Sequence, residues 1–270
     1  MDKRLKDVSL NYGLGVGETV YGTRKKLLFI LKAINTHAKR RGMKMEDCEI
    51  LDIGCGTGFN ITIPIASMGY GILGIDSDRG TIDFARKTNS FDNLSFECET
   101  IEGIDRVFDV IVCSEILEHV EHPEDFLLQV GKRLKVGGII IVTVPNGFGW
   151  FELEKLIYNI GIKYFISALS KLKMLKLPPA DLVPNTLKER DAHLHHFTIK
   201  KLGEIFRESG FEMVKAKSST LFSGPVTNSF FWGSKRFMSW NNKIIERLDL
   251  RFASGWYFIL RSFKDAEHGC

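Results

Sequence analysis

Long apolar runs are missing from these 270 residues. Nothing approaches the ~20 mostly apolar residues that a bilayer-spanning helix needs. A large charge of one sign is missing too. The 37 basic and 33 acidic side chains leave a net charge of only +4. So mild a surplus permits attraction to an acidic substrate or a membrane surface, but it is no nucleic-acid footprint. The five cysteines (Cys48, Cys55, Cys98, Cys113 and Cys270) lack zinc-site spacing, so free thiols in a reducing cytosol are expected. The opening "MDKRLKDVSLNYG" has basic residues with no apolar core behind them, so no secretory leader is read there. No internal repeat or low-complexity tract interrupts the chain. A cytoplasmic protein, peripheral at most to a membrane, is the expectation.

What is present is a rhythm. "TRKKLLFILKAINTHAKRRG" has helical apolar spacing, and residues 1–48 read as an N-terminal helical segment over the edge of the core. Short apolar runs then alternate with amphipathic segments: "EILDIG", "YGILGID", "NLSFEC", "FDVIVCS" and "GGIIIVTVPN" as strands, with helices at Phe59–Met68, "RGTIDFARKTN" and "PEDFLLQVGKRLK" between them. Such alternation predicts a doubly wound, Rossmann-like α/β fold with a mostly parallel sheet and helices on both faces. The rhythm breaks after Asn146 and resumes at "TIKKLGEIFRESG", "FEMVKAKS" and "GWYFILRSF". A seven-stranded sheet domain over 49–146 and 197–270 is therefore expected, with an inserted lid or substrate segment at 147–196. A second interruption falls at roughly Thr220–Ser254.

Directly after the first strand comes "ILDIGCGTGFN", with Asp52 followed by Gly54, Gly56 and Gly58. Glycines there serve a tight turn or a close approach of backbone to ligand. The third glycine comes one residue early for a dinucleotide fingerprint, and no Lys-Ser or Lys-Thr pair follows to make a phosphate-cradling loop. An acid before the glycines disfavours a pyrophosphate and suits a cationic ligand end, directly or through water. The second strand closes on Asp76, placed to accept both hydroxyls of a ribose. A nucleoside with a cation and no phosphate describes S-adenosylmethionine.

Together, "ILDIGCGTG", the acid in "GID" and "FDVIVCSEILEHVEHPEDFLLQVGKRLKVGGIIIVTVPN" resemble the class I S-adenosylmethionine-dependent methyltransferases. The resemblance covers Glu49–Asn146 closely and Phe197–Val214 more loosely. Within that class, "ECETIEG" followed by "CSEILEHVEHP" is most similar to the O-methyltransferases of ubiquinone biosynthesis. The resemblance implies that Gly54, Gly56 and Gly58 pack against the methionine part and that Asp76 holds the ribose. It further implies that Ser77 lies beside the adenine, that Thr100 and Ile101 bound the ring, and that Ser114 meets the methionine end.

Beyond the cofactor half, "SEILEHV" supplies Glu115, Glu118 and His119 at spacing i, i+3, i+4. Within one helical turn this set offers Mg²⁺ or Zn²⁺ a shared site, and the ubiquinone-type enzymes are thought to use the triplet so for a catechol-like substrate. His119 as a general base, and a plain structural role, stand beside that reading. "DAHLHHFT" adds His193, His195 and His196, of which His193 is the first choice to remove an acceptor proton. In the insertion, Leu153, Leu156, Ile157, Ile160, Phe165, Leu169 and Leu172 form a helical apolar stripe, flanked by Lys155, Lys163, Lys171, Lys173 and Lys176. A lid packed on the domain is favoured over an element resting on an anionic bilayer, because a soluble composition rarely leaves such a stripe bare. The resulting expectation is methyl transfer to an oxygen of a small or lipid-like molecule. The alternatives are transfer to nitrogen or carbon of a glycan or other metabolite, or cofactor binding without turnover. The oligomeric state is left open.

Overall fold

The computed structural model describes residues 21–172 and 193–263. Cys270, Lys173 and Lys176 lie outside them. A seven-stranded sheet runs through the molecule in the order β3-β2-β1-β4-β5-β7-β6. Its strands are β1 (Glu49–Ile53), β2 (Gly71–Asp76), β3 (Leu94–Cys98), β4 (Phe108–Ser114), β5 (Leu134–Pro145), β6 (Phe211–Ser218) and β7 (Gly255–Ser262). The first five pair in parallel, and β7 lies antiparallel between β5 and β6.

The central strands β1, β2, β4 and β5 are apolar along most of their length because helices bury both faces, and alternate side chains go to opposite cores. Ile50, Ile72, Val110, Ile139 and Ile141 enter one core with Leu27, Ile30, Leu31 and Ile34 of α1 (Thr23–Arg40). Helices α2 (Thr62–Ser67) and α3 (Arg79–Thr88) complete that face. Leu51, Leu73, Ile111, Ile140 and Val142 enter the other core. They meet Leu127 and Val130 of α4 (Pro123–Lys132), and Leu202, Ile205 and Phe206 of α7 (Ile199–Glu208). Local chemistry fixes the helix starts. The Asp78 carboxylate accepts from the Gly80 and Thr81 N–H groups at α3, and α4 opens with proline followed by Glu124 and Asp125. The helix expected over Phe59–Met68 is shorter, Thr62–Ser67, because the glycine loop extends to Ile61.

Both interruptions carry helices in their described residues. The first carries α5 (Trp150–Ile157), a π turn (Tyr158–Ile162) broken by Gly161 at φ 150°, and α6 (Lys163–Lys171). The second carries α8 (Pro225–Phe231) and α9 (Lys235–Ile245). One buried acid ties them together. Glu154 of α5 accepts from the Thr227 N–H and hydroxyl, both at 2.6 Å, and so satisfies an orphan donor in the first turn of α8. This overturns the expectation of an inward apolar stripe. Leu153, Leu156, Ile157, Ile160, Phe165 and Leu172 are exposed, Leu169 is half-buried, and the inward positions are Glu154 and Ile166. The polar lock takes the inner face of α5, so the stripe turns outward. The packed lid is not what the described residues form.

Truncating the two kinds of apolar side chain separates core from stripe. Ile141→Ala should lose about 2–5 kcal/mol of unfolding free energy, whereas Leu156→Ala, at 57% exposure, should change it by less than about 0.5 kcal/mol. Urea midpoints measure both. A comparable loss in the two variants would mean that the stripe is covered.

Candidate active site

Strand register gathers the motif residues at one sheet edge. Asp52 lies opposite Gly74 and Val112, Asp76 opposite Cys98, and Ser114 opposite Thr143. The chain order reverses between β1 and β4, which opens a crevice at their carboxyl ends. The loop after β1 runs through Gly54, Gly56 and Gly58 with φ of 66°, 54° and 78°, where a side chain is strained. A Cβ on Gly54 would also collide with Ile116, and one on Gly58 would come within 2.6 Å of the Phe96 ring. Asp76 fastens the loop: its Oδ2 accepts from the Gly56 N–H at 3.0 Å and its Oδ1 from the Asp78 N–H at 2.9 Å.

A cleft of about 310 Å³ opens over this loop. Gly54, Asp76, Ser77, Thr100 and Ile101 line it, as the motifs suggested, together with Glu99, Ile116 and Phe126, which sequence reasoning missed. Phe126 shows no signal beyond the amphipathic period of α4, in which Leu127 and Val130 face the core and Leu128 is exposed. Gly56, Gly58 and Ser114 are not among the lining residues. The Ser114 hydroxyl instead shares a hydrogen bond of 2.9 Å with Thr143 Oγ1. Asp52 lies beneath the loop, 2% exposed, and accepts from the Thr62 hydroxyl at 2.6 Å. It is therefore a support for the turn and no direct partner of a ligand. Burial pushes its acid up to about 7, with the Lys26 ammonium opposing and the Asp76 charge reinforcing.

At the rim, "SEILEHV" is a turn rather than a helix, closed by the His119 N–H on the Ile116 carbonyl at 2.9 Å. Glu115 takes φ 57° and swings away from its expected partners. Its Oε1 accepts from the Thr143 hydroxyl at 2.8 Å and lies 3.6 Å from Lys26 Nζ. His193 arrives in its place. Glu118, His119 and His193 bring ligand atoms within 4.8 Å of one another, and the His119 and His193 rings are 5.2 Å apart. The backbone arranges this: the Glu118 carbonyl accepts from the Leu194 N–H at 2.9 Å and the His195 N–H at 3.3 Å. The His195 ring meets the Val120 and Glu121 carbonyls through Nε2, which makes it a fastener rather than a site residue. Glu118 is 1% exposed, and its Oε2 has no hydrogen-bond partner among the described residues. Burial, then the Glu115 charge, raises its acid well above the carboxylate range. Burial, then the His119 charge, holds His193 below the ordinary imidazole value. Ile116 and Val120 line the cleft on either side of this turn, so cluster and cleft adjoin.

An acid-fastened glycine loop thus lies at the switch point of a Rossmann-like sheet, with an acid–imidazole cluster beside it. Residues 21–216 match the family described as "Methyltransferase domain", and the chain belongs to that family. It is 33% identical over 125 residues to a ubiquinone biosynthesis O-methyltransferase of Rickettsia akari, covering 45% of this chain and 48% of that protein. It is 32% identical over 144 residues to the mitochondrial ubiquinone biosynthesis O-methyltransferase of Mus musculus, covering 50% of this chain and 36% of that one. The matched region thus spans about half or less of these relatives. A crystal structure of the plantazolicin methyltransferase BpumL, in complex with a monoazolic desmethylPZN analog and SAH, shares the fold at a TM-score of 0.54 and 19% identity. That match covers 95% of this chain and 89% of that one.

Asp52 makes stability depend on pH in a defined direction. In the fold it stays protonated up to about pH 7, whereas an unfolded carboxyl ionises near 3.8. Its contribution is therefore complete below the unfolded value and is lost as pH rises through the folded one. Asp52→Asn keeps an acceptor for Thr62 and has no proton to lose. Relative to wild type, the variant should gain on the order of a few kcal/mol in stability between pH 4 and pH 8. Paired denaturant titrations measure the difference, and a difference independent of pH would remove this account of Asp52.

Proposed function

We propose that the chain is an S-adenosylmethionine-dependent methyltransferase acting on an oxygen of a small or lipid-like acceptor. The observation that carries this reading is the cleft itself, lined by Gly54 and Asp76 on one side and by Ile116 and Val120, which flank the Glu118–His119 turn, on the other. Asp76 would accept the ribose hydroxyls through its remaining lone pairs. Gly54 would let the amino-acid end lie against backbone. Ser77, Thr100 and Ile101 would bound the adenine, and Gly56, Gly58 and Ser114 would shape the methionine end from behind. Residues 49–146 and 197–270 would form the cofactor-binding unit, with α1 packed on one face of its sheet rather than over the edge expected of 1–48, and 147–196 would serve the acceptor.

When bound, S-adenosylmethionine supplies a methyl group on a sulfonium, which an acceptor oxygen displaces in line. The chain contributes alignment, exclusion of water and a destination for the acceptor's proton. His193, kept neutral by burial, would take that proton on a ring nitrogen. The unpartnered Glu118 oxygen favours a second arrangement. One carboxylate and two imidazoles fit Zn²⁺ better than Mg²⁺, which prefers an all-oxygen shell. Glu118, His119 and His193 would then hold the ion, which would acidify an acceptor hydroxyl. The two roles of His193 exclude one another. A lipid-like acceptor also implies peripheral contact with a membrane, since no helix among the described residues is long and apolar enough to cross one.

S-adenosylhomocysteine should raise the melting temperature of the wild type by linkage, and Asp76→Ala should abolish most of that rise. His193→Ala should keep the rise and lower kcat about 10²–10⁴-fold, measured with labelled S-adenosylmethionine and a panel of hydroxyl acceptors. Activity lost in chelator and restored by Zn²⁺ would make His193 a ligand, whereas full activity in chelator would make it the base. Retained binding with no transfer to any acceptor would leave a binding protein without turnover.

A further inference from the structure

The methyl-transfer reading leaves one face of the molecule unused. Five rings form a continuous chain across both helical interruptions. Trp150 of α5 meets Phe222 at 5.2 Å, Phe222 meets Trp240 at 6.2 Å, Trp240 meets Phe237 at 5.7 Å, and Phe237 stacks on Phe231 at 4.1 Å. The outward stripe of α5 and α6 begins at one end of this chain. At the other end, α9 buries Met238, Asn241 and Ile245 against the domain. Its opposite side displays Arg236, Trp240, Lys243 and Arg247 at i, i+4, i+7 and i+11, lining an open groove. Trp240 is 47% exposed in the midst of these cations. The acid next to them, Glu246, is engaged by Lys217 at 3.3 Å, so the outer side of α9 keeps its positive sign.

A patch that is apolar in one part, aromatic in the middle and cationic at its margin matches the layers of a lipid interface. Leucine, isoleucine and phenylalanine suit the acyl boundary, tryptophan suits the headgroup level, and long cationic side chains reach the phosphates. We propose that this face docks on an anionic phospholipid bilayer, with the α5–α6 stripe entering the acyl boundary and Arg236, Lys243 and Arg247 meeting headgroup phosphates around Trp240. Charge complementarity selects this occupant over a neutral membrane or a neutral protein surface. The docking face also adjoins the site. Phe148, just before α5, lies 6.3 Å from the His196 ring, and His196 lies 6.2 Å from His193. An acceptor with a lipid tail lying along the stripe would present its polar end to the histidines. The docking rests on the geometry of the two interruptions alone; its purpose in substrate entry rests on the methyl-transfer reading.

The full chain should sediment with vesicles of phosphatidylcholine containing 30% phosphatidylglycerol at low salt. It should be largely released at 0.5 M salt, where the Debye length falls to a few ångströms, and it should ignore pure phosphatidylcholine. The Trp240 contribution to fluorescence should shift to the blue on binding. The double variant K243E/R247E should weaken partitioning about tenfold or more, and Trp240→Ala should diminish the fluorescence shift, leaving the part that Trp150 contributes. The response of melting temperature to S-adenosylhomocysteine should be unchanged in both, which shows that they fold. Equal binding of wild type and double variant, or binding indifferent to lipid charge, would overturn the proposal. A stable dimer that shields Trp240 and ignores vesicles would assign the face to a second copy and overturn it equally. Salt-sensitive vesicle binding by a protein that transfers no methyl group would uphold the docking and sink only the enzymatic reading.

Discussion

The Asp76 carboxylate holds the ligand-facing side of this molecule in register. One oxygen takes the Gly56 N–H across from the neighbouring strand, and the other takes the Asp78 N–H. Asp78 in turn caps α3. Glycine backbones give up the most freedom on folding, and the Asp76 contact adds to the backbone hydrogen bonds from Cys55 to Ile75 and from Gly58 to Cys55 that hold the loop. The loop can therefore stand open toward a ligand without collapsing into the cleft. The acceptor atoms that shape it are the same ones that would read a ribose. On the proposed reading, structural and recognition roles would coincide in one side chain, and Asp52 and Thr62 support the arrangement from below.

The cofactor half was legible because its constraints are local or periodic. Runs such as "ILDI" and "VIVC" are apolar on consecutive residues because both sides of a parallel strand are covered, and that pattern survives in any register. The glycines and Asp76 occupy positions where backbone geometry admits few alternatives. The rim was less legible, since Glu115, Glu118 and His119 share a face only if their segment is helical. It is a turn, with Glu115 at positive φ and bound to Thr143. The third member of the cluster, His193, comes from a distant part of the chain that no spacing rule connects to Glu118. Its arrival depends on two backbone hydrogen bonds to the Glu118 carbonyl, which carry no mark in side-chain identity.

The outward stripe was misjudged for a different reason. Helical periodicity says which side of α5 is apolar, but it does not say which side meets the protein. Glu154 decided that question. A carboxylate buried between two helices needs its lone pairs occupied, and Thr227 at the start of α8 supplies both donors. Of the two acids in this helix, the buried Glu154 marks the inner side, while Glu152 stays partly exposed beside Lys155. In "WFELEKLI" Glu154 was the overlooked residue.

The two ends of the first interruption meet. A Cβ on Gly147 would come within 2.6 Å of the His196 side chain, while Asn146 is tied to the Arg251 and Ala253 carbonyls. The sheet domain thus sees the excursion as a loop already closed at its base, and closure entropy rises by only about 0.6 kcal/mol for each doubling of length. Segments of very different length and character would fit between the same two anchors at little cost to the cofactor half. Exchanging what lies between the two anchors would leave the glycine loop and its Asp76 fastening as they are.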